Sequence, residues 1–345
     1  MQPKLLILTP GFPSNQTDTL PVPHIQDFIQ AIKPFFQLKI ISFQYPFEEK
    51  KYLWQEIEIY SAGGKNKPFP LRLLTWHKIL KQIQAWHTAE NFELILCFWL
   101  TECALIGEHF CQKNPQIKLI KWSLGQDAKP DNLYLRLLHE KQGKTLCLSH
   151  RNAQMIGNNI QILPFGLSNH WKNIPITQER KIDIIGIGSH ISLKRYDVFL
   201  HAVAMLKKDF PQLNCMLIGE GKDCPKLKNL AKQLHIEENV CFRATLSREK
   251  VFEQLADSKI LFHPSEYEGQ GMVLMEALQM GCYVVCGEIG YVPATEKAFI
   301  CAKDADFLPK LKTLLTQEML DFSAINMPTM QETAQQFRAS VAAIF

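Results

Sequence analysis

Short, continuous apolar runs recur along the chain and alternate with stretches whose apolar residues return every three or four positions. In the second half the alternation is regular. It runs IDIIGIG (182–188), an amphipathic stretch at 195–209, NCMLIGEG (214–221), a lysine-rich helical pattern at 225–235, NVCFRA, a helix at 248–257, KILFHPS, a helix opening near Gly271, and CYVVC. Unbroken apolar strands set between helices predict a parallel sheet covered on both faces. The first half repeats the theme less cleanly, with KLLILT, QLKIISF, ELILCFW, IKLIKWS and KTLCLS as strands. ILPFGLSNHWKNIPITQERK, rich in Pro, Asn and Gly, reads as the linker. The expected architecture is α/β: two doubly wound domains, 1–165 and 170–325, facing a central cleft, with a terminal helix at 329–345 crossing back to the first.

Ligands of doubly wound sheets bind beyond the carboxyl ends of the strands. In the second half those ends are Gly188-Ser189, Gly219-Glu220-Gly221, Arg243-Ala244-Thr245 and Pro264-Ser265-Glu266, which parallel strands bring to one edge. The last leads into EGQG and a helix from about Gly271 to Met280, with Gly281 as its C-terminal cap. Amides at such a helix start carry partial positive charge and suit a phosphate. Glu268 lies in the loop and Glu276 about one and a half turns into the helix, so the two carboxylates need not share a face. Alone, each has an ordinary reading: Glu268 as a surface residue favoured by the helix dipole, Lys194 as a solvated lysine, and the glycines of GEG as a turn.

At 345 residues and 46% hydrophobic content the chain is long enough for two domains. A net charge of +4 demands no nucleic acid partner, although residues 1–165 hold 18 Lys/Arg against 13 Asp/Glu. Ten cysteines, scattered through apolar segments without a CxxC pair, read as reduced, buried thiols of a cytoplasmic protein, and no metal site is expected. The opening MQPKLLILTPGF is too short an apolar run for a signal peptide, and LILCFWL falls far below the roughly 20 residues of a spanning helix. PLRLLTWHKILKQIQAWH has apolar residues at helical spacing, with Arg72, Lys78 and Lys81 on other faces. Its first reading is a core-packed helix, and its second a helix lying on a membrane surface.

The run FHPSEYEGQGMVLMEALQMGCYVV resembles the carboxylate motif of the retaining group 1 glycosyltransferases of GT-B fold, two glutamates separated by seven residues, at Pro264, Ser265, Glu268, Gly269, Gly271, Glu276, Ala277 and Gly281. IGIGSHISLKRYDVFLHAV, LIGEGKDCPKLKNLA and LPFGLSNHW are similar to further segments of that family, extending the resemblance over residues 163–300; TPGFPSN and WSLGQDA match it more loosely.

The resemblance implies a first domain on the acceptor side and a second that binds a nucleotide-sugar donor. Glu276 would hold the ribose hydroxyls and Lys194 the diphosphate, while Glu268 with the backbone of Gly269, Gln270, Gly271 and Met272 would meet the transferred sugar. Gly188, Ser189, Gly219 and Ala244 would line the donor, and Gly11 and Gln126 the acceptor side. Lysine and fixed amides stabilise a departing diphosphate without a metal, so the expected cofactor is none beyond the nucleotide-sugar co-substrate. The sequence departs from the family at Ser189, where many relatives carry arginine, and at Leu124, where relatives often carry histidine; the role of that histidine is either lost or taken by Gln126 or Asp127, and the catalytic candidates are Glu268, Lys194 and Asp127. The implied reaction is sugar transfer to a glycan or lipid-linked acceptor in surface polysaccharide or lipopolysaccharide synthesis, with peripheral membrane contact as an additional reading. The alternatives are a nucleotide-sugar or glycan binding protein that has lost catalysis, and a nucleotide-sugar epimerase.

Overall fold

The computed structural model describes residues 2–19, 21–139, 142–317 and 319–345. The chain divides into two compact units, one of the residues up to Gly166 together with Met330–Phe345, the other Leu167–Thr329.

The first unit is built on an eight-stranded sheet. Its strands are β1 (Lys4–Gly11), β2 (Gln37–Tyr45), β3 (Glu49–Trp54), β4 (Ile57–Ala62), β5 (Leu94–Phe98), β6 (Lys118–Trp122), β7 (Lys144–Cys147) and β8 (Ile160–Ile162), in the order β3-β4-β2-β1-β5-β6-β7-β8. All pairings are parallel except β3 with β4. That hairpin escapes a sequence reading for a physical reason. Its turn residues, Gln55 and Glu56, both take positive φ (49° and 68°), a backbone that hairpins normally signal with Asn-Gly. The helices are α1 (Pro23–Ile32), α2 (Arg72–Glu90), α3 (Glu102–Lys113), α4 (His150–Ile156) and, from the chain's end, α10 (Met330–Ala342).

Helix α2 turns Thr75, Ile79, Ile83 and Trp86 inward at intervals of four, four and three, the core-packed reading of its pattern. Phe337 carries α10 into this unit's core. Its ring lies parallel to Trp122 at 5.9 Å and edge-on to Phe28 at 5.2 Å, while the Thr333 hydroxyl donates to the Pro164 carbonyl (3.0 Å) and accepts from the Gly166 amide (2.9 Å).

The second unit holds β9 (Ile182–Ile187), β10 (Cys215–Ile218), β11 (Val240–Arg243), β12 (Ser258–His263), β13 (Tyr283–Gly287) and β14 (Ala298–Cys301), all parallel in the order β11-β10-β9-β12-β13-β14. Counted from β9 this is 3-2-1-4-5-6, the dinucleotide-fold order, in which the chain reverses direction across the sheet between β9 and β12. Helices α5 (Tyr196–Leu206), α6 (Cys224–Gln233), α7 (Arg248–Ala256), α8 (Met272–Gln279) and α9 (Phe307–Thr316) connect and flank the strands. The apolar runs become buried strands because helices cover both faces: Phe199, Phe262 and Leu311 pack on one side, Leu261, Met275 and Leu278 on the other.

All ten cysteines are free thiols, eight of them buried and Cys224 and Cys241 half-buried. Among the described residues no helix is long and apolar enough to cross a membrane, and no three His, Cys, Asp or Glu side chains group as metal ligands would.

Candidate active site

The switch point between β9 and β12 collects most of the residues that the sequence pattern singles out. Gly188 directly follows β9, and Gly219, with φ of +142°, directly follows β10 beside it; a Cβ on Gly219 would lie 2.0 Å from the Gly188 carbonyl oxygen. No side chain fits there, so the two strand ends close on each other backbone to backbone. Ser189 is exposed beyond them, and Ala244 is exposed past the end of β11.

After β9 the chain makes a single 3-10 turn at Ser192–Lys194 and enters α5 through Arg195, whose φ is +53°. The loop after β12 clips onto this turn: the Glu266 amide donates to the Leu193 carbonyl (2.9 Å) and so does the Ser265 hydroxyl (3.1 Å). The clip sets Lys194 against Glu268, and the lysine Nζ donates to Oε1 of the carboxylate. Arg195, the other cation of this loop, turns elsewhere, its Nη1 donating to Asp304 Oδ1 at 3.0 Å. Lys194 is thus the member of the Lys194-Arg195 pair that addresses the carboxylate loop.

A third group, not foreseen from the sequence, meets the same oxygen. His263, the last residue of β12 and fully buried, places Nε2 2.7 Å from Glu268 Oε1. Facing a carboxylate, this nitrogen carries the proton and donates. Burial alone would raise the Glu268 carboxyl, but the bond and charge of His263 together with Lys194 outweigh it and pull it down to about 2. Glu268 is ionised across the physiological range.

Gly271, with φ of +76°, turns the chain into α8. Its predecessor Gln270 is buried, its Nε2 donating to Met275 Sδ (3.2 Å) and its carbonyl receiving the Tyr291 amide (2.8 Å). Half-buried Gly269 and Met272 flank the turn, and Gly281 closes α8 with φ of +79°. Glu276 lies in α8, 8% exposed, and receives Nη2 of Arg248 at 3.0 Å. Arg248 opens α7, whose N-cap Ser247 accepts from the Lys250 amide. The two carboxylates therefore answer to separate cations, Glu268 to Lys194 and Glu276 to Arg248.

The first unit holds the remaining candidates. Gly11 ends β1, paired with Tyr45, and the TPGFPSN loop that follows is fastened by Asp18, which accepts from the Ser14 amide and hydroxyl (both 2.8 Å) and from the Tyr45 hydroxyl (2.7 Å). Asp127 sits in a 3-10 turn after β6, 5% exposed. It accepts the amides of Leu100 (2.7 Å), Gly125 (2.8 Å) and Leu124 (3.1 Å), and burial pushes its carboxyl up against those bonds. Its carboxylate joins the loops that follow β5 and β6. Gln126 beside it is exposed.

His263 and Arg248 are the functional candidates that sequence reasoning passes over. Arg248 lies 28 positions before Glu276 and belongs to another helix, outside the local motif of its partner. His263 is only five positions before Glu268, yet as the last residue of an apolar strand it looks like core.

A two-unit α/β protein with a 3-2-1-4-5-6 sheet and a lysine-carboxylate pair at its switch point belongs to the doubly wound class, in which ligands bind at that edge of the sheet. Residues 169–306 match the family model described as Glycosyl transferases group 1, and the second unit is a domain of that family. Over 126 residues the chain is 31% identical to an uncharacterized glycosyltransferase of Haemophilus influenzae, covering 35% of this chain and 35% of that protein. Over 120 residues it is 32% identical to the lipopolysaccharide glucosyltransferase WaaG of Escherichia coli, covering 33% of this chain and 31% of WaaG. The matched stretch thus spans about a third of the length of these curated relatives. The fold is shared over nearly the whole chain with Anabaena HepE, solved with UDP and glucose, at a TM-score of 0.66 and 16% identity, covering 98% of this chain and 95% of that one. The fold is GT-B, with two parallel-sheet, Rossmann-like units.

Proposed function

We propose that the protein is a retaining glycosyltransferase that moves a sugar from a nucleotide-sugar donor to a glycan or lipid-linked acceptor. The observation that carries this reading is the convergence of Lys194, Glu268 and the start of α8 at the switch point, with Glu276 further along the same helix. Each suits one part of such a donor. Glu276 accepts from ribose hydroxyls, Lys194 and the α8 amides take the diphosphate, and Glu268 accepts from the sugar. A lysine and fixed amides aimed at the departing diphosphate stabilise the charge that develops as the glycosidic bond breaks, and this needs no metal.

The names of the relatives point to cell-surface saccharides as the acceptor class, and buried thiols suit a cytoplasmic setting. A thermal-shift screen against nucleotide sugars tests the donor, since a ligand at 100 times its Kd adds about 2.7 kcal/mol. Acceptor-dependent release of nucleoside diphosphate separates transfer from the alternatives. A binding protein releases none, and an epimerase turns over without acceptor.

A specific observation favours contact with an anionic lipid surface. At the start of α2 the exposed Phe69 (69%) and Leu74 (64%) lie in the same unit as Leu133 (68%) and Leu137 (57%), the two stretches joined by Arg72 Nη1 donating to the Tyr134 hydroxyl at 3.3 Å. Residues 63–89 contain Lys65, Lys67, Arg72, Lys78 and Lys81 and no Asp or Glu. Exposed apolar side chains within a basic field fit an interfacial site, each cation contributing about 1 kcal/mol near anionic lipid. Flotation with phosphatidylglycerol vesicles should retain the protein at low salt and lose it with Lys65, Lys67 and Lys81 neutralised together. Absence of binding by the parent protein would remove the lipid surface from the reading.

A further inference from the structure

We infer that Glu268 is a partner-exchanging carboxylate, holding Lys194 until a diphosphate takes the lysine away, and that His263 is the positioning residue that keeps Glu268 in place through the exchange. The inference rests on the donor-site reading above. Its basis is that one oxygen, Glu268 Oε1, receives both Lys194 Nζ and His263 Nε2.

The two donors differ in freedom. Lys194 reaches the carboxylate on a flexible stem from a surface turn, its side chain 17% exposed. His263 is fixed to the end of β12 and fully buried, and its other ring nitrogen, Nδ1, has no hydrogen-bond partner among the described residues. The imidazole's one bond is therefore spent on Glu268. A diphosphate offers the ammonium more negative charge than one carboxylate does, so Lys194 is the donor that leaves. Once it has left, the carboxylate remains bound to His263 with acceptor capacity restored on Oε1, available to a sugar hydroxyl. Both partners hold the Glu268 carboxyl low, His263 more strongly than Lys194, so the histidine goes on favouring the ionised form when the lysine leaves. Nucleotide binding and sugar recognition are thereby coupled at Oε1: the phosphate that draws the lysine away frees the acceptor site that a sugar hydroxyl then takes.

The test is calorimetric titration of wild type, Glu268→Gln, His263→Leu and His263→Gln with UDP, GDP and ADP, each beside its glucose conjugate. Glu268→Gln removes the competitor for Lys194, and the nucleoside diphosphate should bind about tenfold more tightly than to wild type. The same variant should lose the extra affinity that the sugar conjugate shows over the bare diphosphate. His263→Leu should keep diphosphate affinity within about twofold while losing that sugar increment, and His263→Gln, whose amide can donate from a similar position, should restore it. Equal or weaker diphosphate binding by Glu268→Gln overturns the exchange, and an unchanged sugar increment in His263→Leu overturns the role of His263. If no nucleotide binds wild type or any variant, the donor-site reading fails and takes the exchange with it.

Discussion

The second carboxylate should respond in the opposite sense. Glu276→Gln keeps the shape of the side chain and removes its charge. That charge faces Arg248 at 3.0 Å, with side-chain exposures of 11% and 26%, so the pair is partly buried and its loss should cost stability on the order of 1 kcal/mol. Binding should suffer more. A hydrogen bond from a ribose hydroxyl to a carboxylate contributes about 1.5 to 3 kcal/mol, which converts to nucleoside diphosphate affinity weaker by about 10- to 150-fold. Because the ribose contact is made in both ground and transition states, the loss should appear in donor affinity more than in turnover. Titration calorimetry with the diphosphate measures the first, and initial rates with the sugar conjugate the second. Unchanged diphosphate affinity in a variant that melts like wild type would refute the assignment of Glu276 to the ribose.

Three further outcomes follow from the geometry. The folded-state value of Glu268 lies near 2, below an ordinary 4.5, so its contribution is complete above pH 4.5 and fades as pH falls toward 2; at about 1.4 kcal/mol per unit this amounts to about 3 kcal/mol. Urea midpoints of wild type and Glu268→Gln should converge across that window, and parallel curves would contradict it. Asp127→Ala leaves the amides of Leu100, Leu124 and Gly125 without their acceptor, at about 1 to 3 kcal/mol for each buried one. Tryptophan fluorescence, dominated by Trp54, Trp76, Trp86, Trp99 and Trp122 of the first unit, should show earlier unfolding while diphosphate affinity is unchanged. Gly281→Ala forces a left-handed φ of +79° on alanine and sets its Cβ 2.0 Å from the Phe322 carbonyl oxygen. A loss above about 2 kcal/mol is expected, followed through Trp171 of the second unit, and wild-type stability would count against so close an approach of that carbonyl to the end of α8.

Much of this protein was legible along the chain because its information is local. Strands such as IDIIGIG and KILFHPS are apolar without alternation since helices cover them on both faces, and that pattern alone marks a parallel sheet. Glycine at 271 and 281 marks the two ends of α8 because the left-handed backbone needed there disfavours other residues. The β3-β4 hairpin left no such mark, its turn being made by Gln55 and Glu56 against their own preference. What the tertiary structure decided is which charges meet. No spacing in the sequence says that Lys194, 74 positions before Glu268, closes on its carboxylate while Arg195 next door is drawn to Asp304, or that Glu276 answers to Arg248. Those pairings depend on strand order: β9 and β12 are neighbours in the sheet though two strands intervene in the chain, and the loops at their ends touch for that reason. The role of His263 is of the same kind. A histidine closing an apolar strand is indistinguishable from core until the following loop folds back and sets a carboxylate 2.7 Å from its ring.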